Sequence, residues 1–188
     1  MIEVEKKFQP TEEQLTAMLE GADFLGEKNI TDTYYDTPDF TYLKKGIRLR
    51  SRDGGWEIKA TSKELHGATA QVMREIDTEP EILEELGFSK EENLTDVVEK
   101  NLQVIYVIRT NRWKYKKEGF TIDVDKTDIG YDMVEIELLV EKKEGIDEAD
   151  QKILDFAKRF SFEIKKLPSK TVRYLEHYHP DIAKEVYK

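Results

Sequence analysis

The feature that most restricts how this chain can fold is an alternation of charged and apolar residues at strand spacing, repeated at several places. In Ile2-Glu3-Val4-Glu5-Lys6-Lys7-Phe8, a two-residue period puts Glu3, Glu5 and Lys7 on one face. Val4 lies on the other, with Ile2 and Phe8 at the same parity. Alone, such a strand reads as a solvated sheet edge, because charged faces normally meet water. It does not stand alone. Segment 120–126 sets Asp123 and Asp125 against Phe120, Ile122 and Val124, and segment 133–141 sets Glu135 and Glu137 against Val134, Ile136 and Leu138. Basic counterparts stand at Arg48 and Arg50, at Lys59 on a return strand, and at Arg112 and Lys114.

Amphipathic helices are expected at 11–20, 79–86, 89–100, 147–160 and 169–178, with caps at Thr11, Thr78, Ser89 and Ser169. They must cover an apolar sheet face, which gathers the charged faces on the opposite side. If the sheet closes, those charges line the interior of a barrel. Interior charge is costly unless it is paired or bound to ions. Six carboxylates suit a hard divalent cation such as Mg²⁺ or Mn²⁺, and Arg and Lys facing them suit a polyphosphate. No Walker-type glycine-rich loop is present, so side chains must supply the grip on phosphate.

The remaining segments fit this plan. A strand at 30–36 closes on the turn Thr37-Pro38-Asp39, residues 61–70 read as a loop, and 71–77 and 102–117 read as strands. Asp53-Gly54 between two alternating runs signals a hairpin. A two-residue loop there pairs Arg50 with Glu57 and Arg48 with Lys59, whereas a bulged loop shifts that register. Facing cations repel, so Arg48 beside Lys59 calls for an anion.

Composition sets the outer limits. In 188 residues with 37% charged and 38% hydrophobic side chains, one folded domain spanning 1–188 is expected. A net charge of -10 makes nucleic acid and anionic membranes poor partners, so any anion site, such as one for a small-molecule triphosphate, must be a local concentration of Arg and Lys. The absence of Cys excludes thiolate zinc sites and a Cys nucleophile, and suits a reducing, cytoplasmic setting. The chain enters its first strand without a signal-peptide pattern.

The order of motifs resembles the CYTH superfamily, the triphosphate tunnel metalloenzymes. The residues that carry the likeness are Glu3-x-Glu5-x-Lys7, Asp32-Thr33-Tyr34-Tyr35-Asp36-Thr37-Pro38, Arg48-x-Arg50 and Trp56-Glu57-x-Lys59, followed by Arg74-Glu75, Thr110-x-Arg112, Asp123-x-Asp125, Gly130-Tyr131, Glu135-x-Glu137 and Lys170. Within that superfamily the chain resembles the animal-type thiamine triphosphatases. The resemblance implies an α+β fold: an eight-stranded antiparallel closed β-barrel with a charged interior and helices packed outside, monomeric or homodimeric. It implies hydrolysis of a triphosphate compound with Mg²⁺ or Mn²⁺. Arg48, Arg50, Lys59, Arg112 and Lys170 would bind the triphosphate, with Arg109 as the competing alignment for Arg112. Glu3, Glu5, Glu75, Asp123, Glu135 and Glu137 would form the acidic metal set. Glu5, Lys7, Lys59 and Arg50 would act in catalysis, and Tyr34 would meet the organic group.

One departure concerns that organic group. Gly46 stands where the thiamine-specific branch carries a stacking Trp, which shifts the expected preference toward inorganic tripolyphosphate or nucleoside triphosphates. The alternatives are a class IV type adenylyl cyclase and a non-catalytic polyphosphate- or nucleotide-binding module. Turnover separates the last from the enzymes. Trp56 and Trp113 read as packing residues, and His66, His177 and His179 as solvated or helix-end residues.

Overall fold

The computed structural model describes residues 2–66 and 71–186, with backbone only for 61–66 and 71–73. The described residues form eight strands: β1 (Ile2–Phe8), β2 (Asp23–Asp36), β3 (Ile47–Arg52), β4 (Gly55–His66), β5 (Gln71–Ile76), β6 (Gln103–Lys117), β7 (Phe120–Thr127) and β8 (Met133–Val140). They belong to one sheet in the order β1-β8-β7-β6-β2-β3-β4-β5. The helices are α1 (Glu12–Leu19), α2 (Thr41–Lys44), α3 (Glu79–Leu86), α4 (Leu94–Asn101), α5 (Ile146–Arg159), α6 (Lys170–Tyr178) and α7 (Pro180–Val186). No described helix is long and apolar enough to cross a membrane.

The chain divides into two compact units. The first comprises Met1–Asn29, Lys63–Val72 and Thr110–Pro168. Its core packs one face of β1, β7 and β8 against α5: Val4, Phe8, Ile122, Val124, Val134 and Ile136 meet Ile146, Ile153, Phe156 and Ala157. These strand residues share the parity opposite to the charged positions, so the period-two pattern directs the apolar side to the helix. At the helix start, Thr11 caps α1 through a capping box with Gln14. Lys6, on the apolar side of β1, reaches Asp150 of α5 at 2.7 Å.

The second unit comprises Ile30–Ser62, Met73–Arg109 and Ser169–Lys188. Its core joins Ile47, Leu49, Ile58, Ala60 and Ile76 with Ile82, Leu83, Leu86, Leu94, Val97 and Val98 of α3 and α4. The β3–β4 loop is the two-residue Asp53-Gly54, both with positive φ (51° and 85°), the geometry that matches strand twist in tight hairpins. Asp36 anchors the start of α2 by accepting from the backbone N–H of Thr37, Tyr42 and Leu43.

Several boundaries differ from the sequence expectation. Residues 61–66 extend β4 instead of forming a loop, and 67–70 lie outside the described residues. The helix expected from Ser89 begins at Leu94 with Asn93 as its cap. Ser89 and Glu92 do form a side-chain to backbone turn, but the turn precedes the helix. β2 starts at Asp23, seven residues before the expected strand. α6 ends at Tyr178 with His179 as its C-cap, close to the expected bound, but a further helix, α7, follows, opened by Pro180 in the first position, where a missing N–H costs nothing.

Candidate functional site

In the first unit the strand registers stack the charged positions side by side. Glu5 faces Glu137 and Lys7 faces Glu135 between β1 and β8. Asp123 faces Glu135 between β7 and β8. Arg112 faces Asp125 and Lys114 faces Asp123 between β6 and β7. This face is far from fully solvated: Asp123, Asp125 and Glu135 are 0%, 1% and 8% exposed.

The carboxylates form two trios, Glu3–Glu5–Glu137 and Asp123–Glu135–Glu137, each offering oxygens within 4.8 Å of one another. Glu137 belongs to both. Its burial, reinforced by the charges of Glu3, Asp123 and Glu135, pushes its pKa up to about 8. Burial likewise raises Asp123, against the pull of Arg112 and Lys114. Three cations offset part of this charge. Lys7 pairs with Glu5 and, at 3.5 Å, with Glu135. Lys114 lies 3.0 Å from Asp123, and Arg112 pairs with Asp123, Asp125 and Glu135. An all-oxygen donor set in which like charges crowd a shared carboxylate fits a hard divalent cation, which Glu3, Glu5, Asp123, Glu135 and Glu137 would hold.

The second unit carries a cationic face. Arg48 faces Lys59 and Arg50 faces Glu57 in the β3–β4 register, as the two-residue loop requires. Arg50 is 6% exposed and pairs with Glu57 at 2.5 Å and Asp32 at 3.6 Å. Arg52 grips Asp32 as a fork, at 2.7 and 2.8 Å. Burial would raise the Asp32 carboxyl, but Arg52, Arg50 and Lys170 hold it below its ordinary range. Lys170 is the first residue of α6, which Ser169 caps by accepting from the Val172 N–H. Lys59 pairs with Glu75, and this, against burial, holds Glu75 below its usual value. Arg48 has its Nε buried without a hydrogen-bond partner among the described residues.

The expected acids except Glu75 therefore meet in the first unit, together with Lys7 and Arg112. Arg48, Arg50, Lys59, Lys170 and Glu75 belong to the second unit, where Glu75 serves as the partner of Lys59. Arg109 is exposed, and Arg112 stands in the acid cluster. Tyr34 is 7% exposed, with one ring face stacked 4.5 Å from Tyr106, which in turn stacks 4.6 Å from Tyr174. It is the buried end rung of a tyrosine stack. Gly46 has φ of +78°, and its N–H closes α2 on the Leu43 carbonyl at 2.9 Å. A Trp at this backbone geometry would be strained. Trp56 and Trp113 pack against the two cores, as expected.

Two residues of the site take roles that the resemblance did not assign. Asp125, one of the six carboxylates grouped by the alternation, is the forked partner of Arg112. Asp32 clamps Arg50 and Arg52, and its signal was its shared strand face with Tyr34.

Fold and charge pattern together define a protein class, and comparison confirms it: the chain belongs to the CYTH domain family, whose model matches residues 1–171. It is 28% identical to human (Homo sapiens) thiamine-triphosphatase over 96% of this chain and 86% of that protein. Among solved structures, a Pyrococcus horikoshii protein covers 93% of this chain and 98% of its own, with TM-score 0.65 and 22% identity. A Hippeastrum adenylyl cyclase described as having a dominant triphosphatase activity covers 95% and 97%, with TM-score 0.59 and 18% identity.

Proposed function

We propose that this chain is a divalent-metal-dependent hydrolase of triphosphate compounds, acting on thiamine triphosphate or inorganic tripolyphosphate. The observation that carries the reading is the meeting of two carboxylate trios at Glu137 on the CYTH scaffold. Its similarity to a thiamine-triphosphatase supports the substrate class. Glu3, Glu5, Asp123, Glu135 and Glu137 hold the ion, Mg²⁺ or Mn²⁺, with Glu75 as a further acid of the set. When bound, such an ion neutralises phosphate oxygens and acidifies a coordinated water.

The chain's own residues do the rest. Arg48, Arg50, Lys59 and Lys170 bind the triphosphate, with Arg112 as a fifth cation. Charge-assisted hydrogen bonds from these donors stabilise the negative charge that builds on the leaving diphosphate. Lys7 pairs with Glu5 and Glu135 and adds positive charge beside the reacting group. Tyr34 supports the part of the pocket that meets the organic group. Closure of the eight strands into a barrel, a cytoplasmic location and a monomeric or homodimeric state are part of the same reading. Nucleic acid and membrane are not partners in it.

A phosphate-release panel tests it, with thiamine triphosphate, tripolyphosphate, ATP and GTP, each with Mg²⁺, Mn²⁺ or EDTA. Metal-dependent release from thiamine triphosphate or tripolyphosphate is expected. Binding of tripolyphosphate without turnover of any substrate would overturn the hydrolase reading in favour of a binding module.

A further inference from the structure

A guanidinium carries five N–H donors. Arg112 commits four hydrogen bonds from them to carboxylates: Nε to Asp125 Oδ1 at 2.7 Å, Nη2 to Asp125 Oδ2 at 2.6 Å and to Glu135 Oε2 at 2.7 Å, and Nη1 to Asp123 Oδ2. Asp123 and Glu135 make up two-thirds of one carboxylate trio. In this arrangement almost nothing of the guanidinium is left over for a phosphate. A guanidinium does not lose its proton in a protein, so Arg112 can leave these acids only by moving away from them.

We propose that Arg112 is the resident cation of the Asp123–Glu135–Glu137 trio, holding the place of a divalent ion. An ion enters that trio by displacing the guanidinium from Asp123 and Glu135. The four hydrogen bonds of Arg112 go to Asp125, Asp123 and Glu135, whereas in the Glu3–Glu5–Glu137 trio it is the Lys7 ammonium that pairs with Glu5, one point charge against a fork that bridges three acids. The two trios therefore fill in order, Glu3–Glu5–Glu137 first. Asp125, whose side chain is 0% exposed, is a positioning residue: its fork keeps Arg112 beside the cluster while the other donors exchange. Displacement frees Nη1 and one donor of Nη2 for an anion, so metal entry and anion binding favour each other, and by linkage the effect is reciprocal. This inference rests on the metal reading given above.

The test is Mn²⁺ binding to the metal-stripped full chain, followed by calorimetry and by the electron paramagnetic resonance signal of free Mn²⁺. Wild type is expected to take up one ion tightly and a second weakly. Arg112→Gln should tighten the second ion about tenfold or more, the scale of a typical coupling between sites, while leaving the first nearly unchanged. Arg112→Lys keeps the charge and protects folding, but a single ammonium cannot bridge three acids, so its second ion should bind with intermediate affinity. Wild-type affinity and stoichiometry in both variants would overturn the competition while leaving the metal reading intact. No Mn²⁺ uptake by wild type or either variant would remove both.

Discussion

Lys7 on β1 stands directly opposite Glu135 on β8, 3.5 Å from its carboxylate, and also reaches Glu5 on its own strand. Burial alone would lower the ammonium's pKa, but Glu135 and Glu5 more than reverse that, so the side chain stays charged. Lys7→Gln should reduce kcat/KM for triphosphate hydrolysis by roughly 10²–10³-fold, the size of losing one pre-placed electrostatic group. Steady-state phosphate release with a parallel melting curve separates this from unfolding. Near-full activity would remove Lys7 from the machinery.

The metal-free protein should lose stability as pH rises. Glu137 titrates near 8 in the fold and near the ordinary glutamate value when unfolded, so between those limits the native state binds the extra proton. Stability then falls as pH climbs through this window, by roughly 2–4 kcal/mol in total. Urea denaturation at pH 5.5 and pH 8.5 measures it. Glu137→Gln should flatten the slope, and saturating Mn²⁺ should do the same by supplying the missing positive charge. A flat profile in the metal-free wild type would contradict the crowding of these acids.

Arg48 and Arg50 share a strand face but should answer differently to truncation. Arg50 is buried in ion pairs with Glu57 and Asp32, so Arg50→Ala should cost about 3 kcal/mol of stability as well as activity. Arg48 has a buried Nε with no hydrogen-bond partner among the described residues. Arg48→Ala should raise KM for tripolyphosphate about tenfold while costing under about 1 kcal/mol of stability. Chemical denaturation and kinetics on the two variants decide it; equal stability losses would refute the distinction.

Gly46→Trp, read from sequence alone, should restore a thiamine-stacking group. The left-handed backbone at φ +78° changes that expectation. Any side chain there should cost about 1–2 kcal/mol, with Trp no gentler than Ala. Preference for thiamine triphosphate over tripolyphosphate should stay within about threefold of wild type, well short of the kcal/mol that a stacking partner contributes. A large gain in preference with unchanged melting temperature would show that the backbone accepts the residue.

The acid cluster was legible because strands with one helix-covered face must alternate. Once Val4, Ile122, Val124, Val134 and Ile136 point to a helix, the parity of Glu3, Glu5, Asp123, Asp125, Glu135 and Glu137 follows. The hairpin register was legible for a similar reason, since Asp53-Gly54 admits one pairing if the loop has two residues. Segments shaped by their neighbours were not legible. Residues 23–29 include Gly26 at φ 138° and are mostly exposed, so their strand form comes from pairing and not from a pattern of their own. Ser89 and Asn93 are both competent caps, and only the burial of Leu94, Val97 and Val98 selects the second. The partnership of Arg112 with three acids needed coordinates, because a strand pattern gives the face of a side chain but not the reach of its fork.

The tight loop at Asp53-Gly54 also bears on how a chain of this kind can change over generations. One residue added there would slide β4 by a single step, bringing Ile58 opposite Arg48 on the cationic face and turning Lys59 toward Ile47 on the core side. The loop works as a reading frame for the cationic wall: substitutions in it are tolerable where positive φ is kept, but insertions and deletions are not. Length variation among natural relatives should therefore be absent between Arg50 and Glu57, even where the residues themselves have drifted.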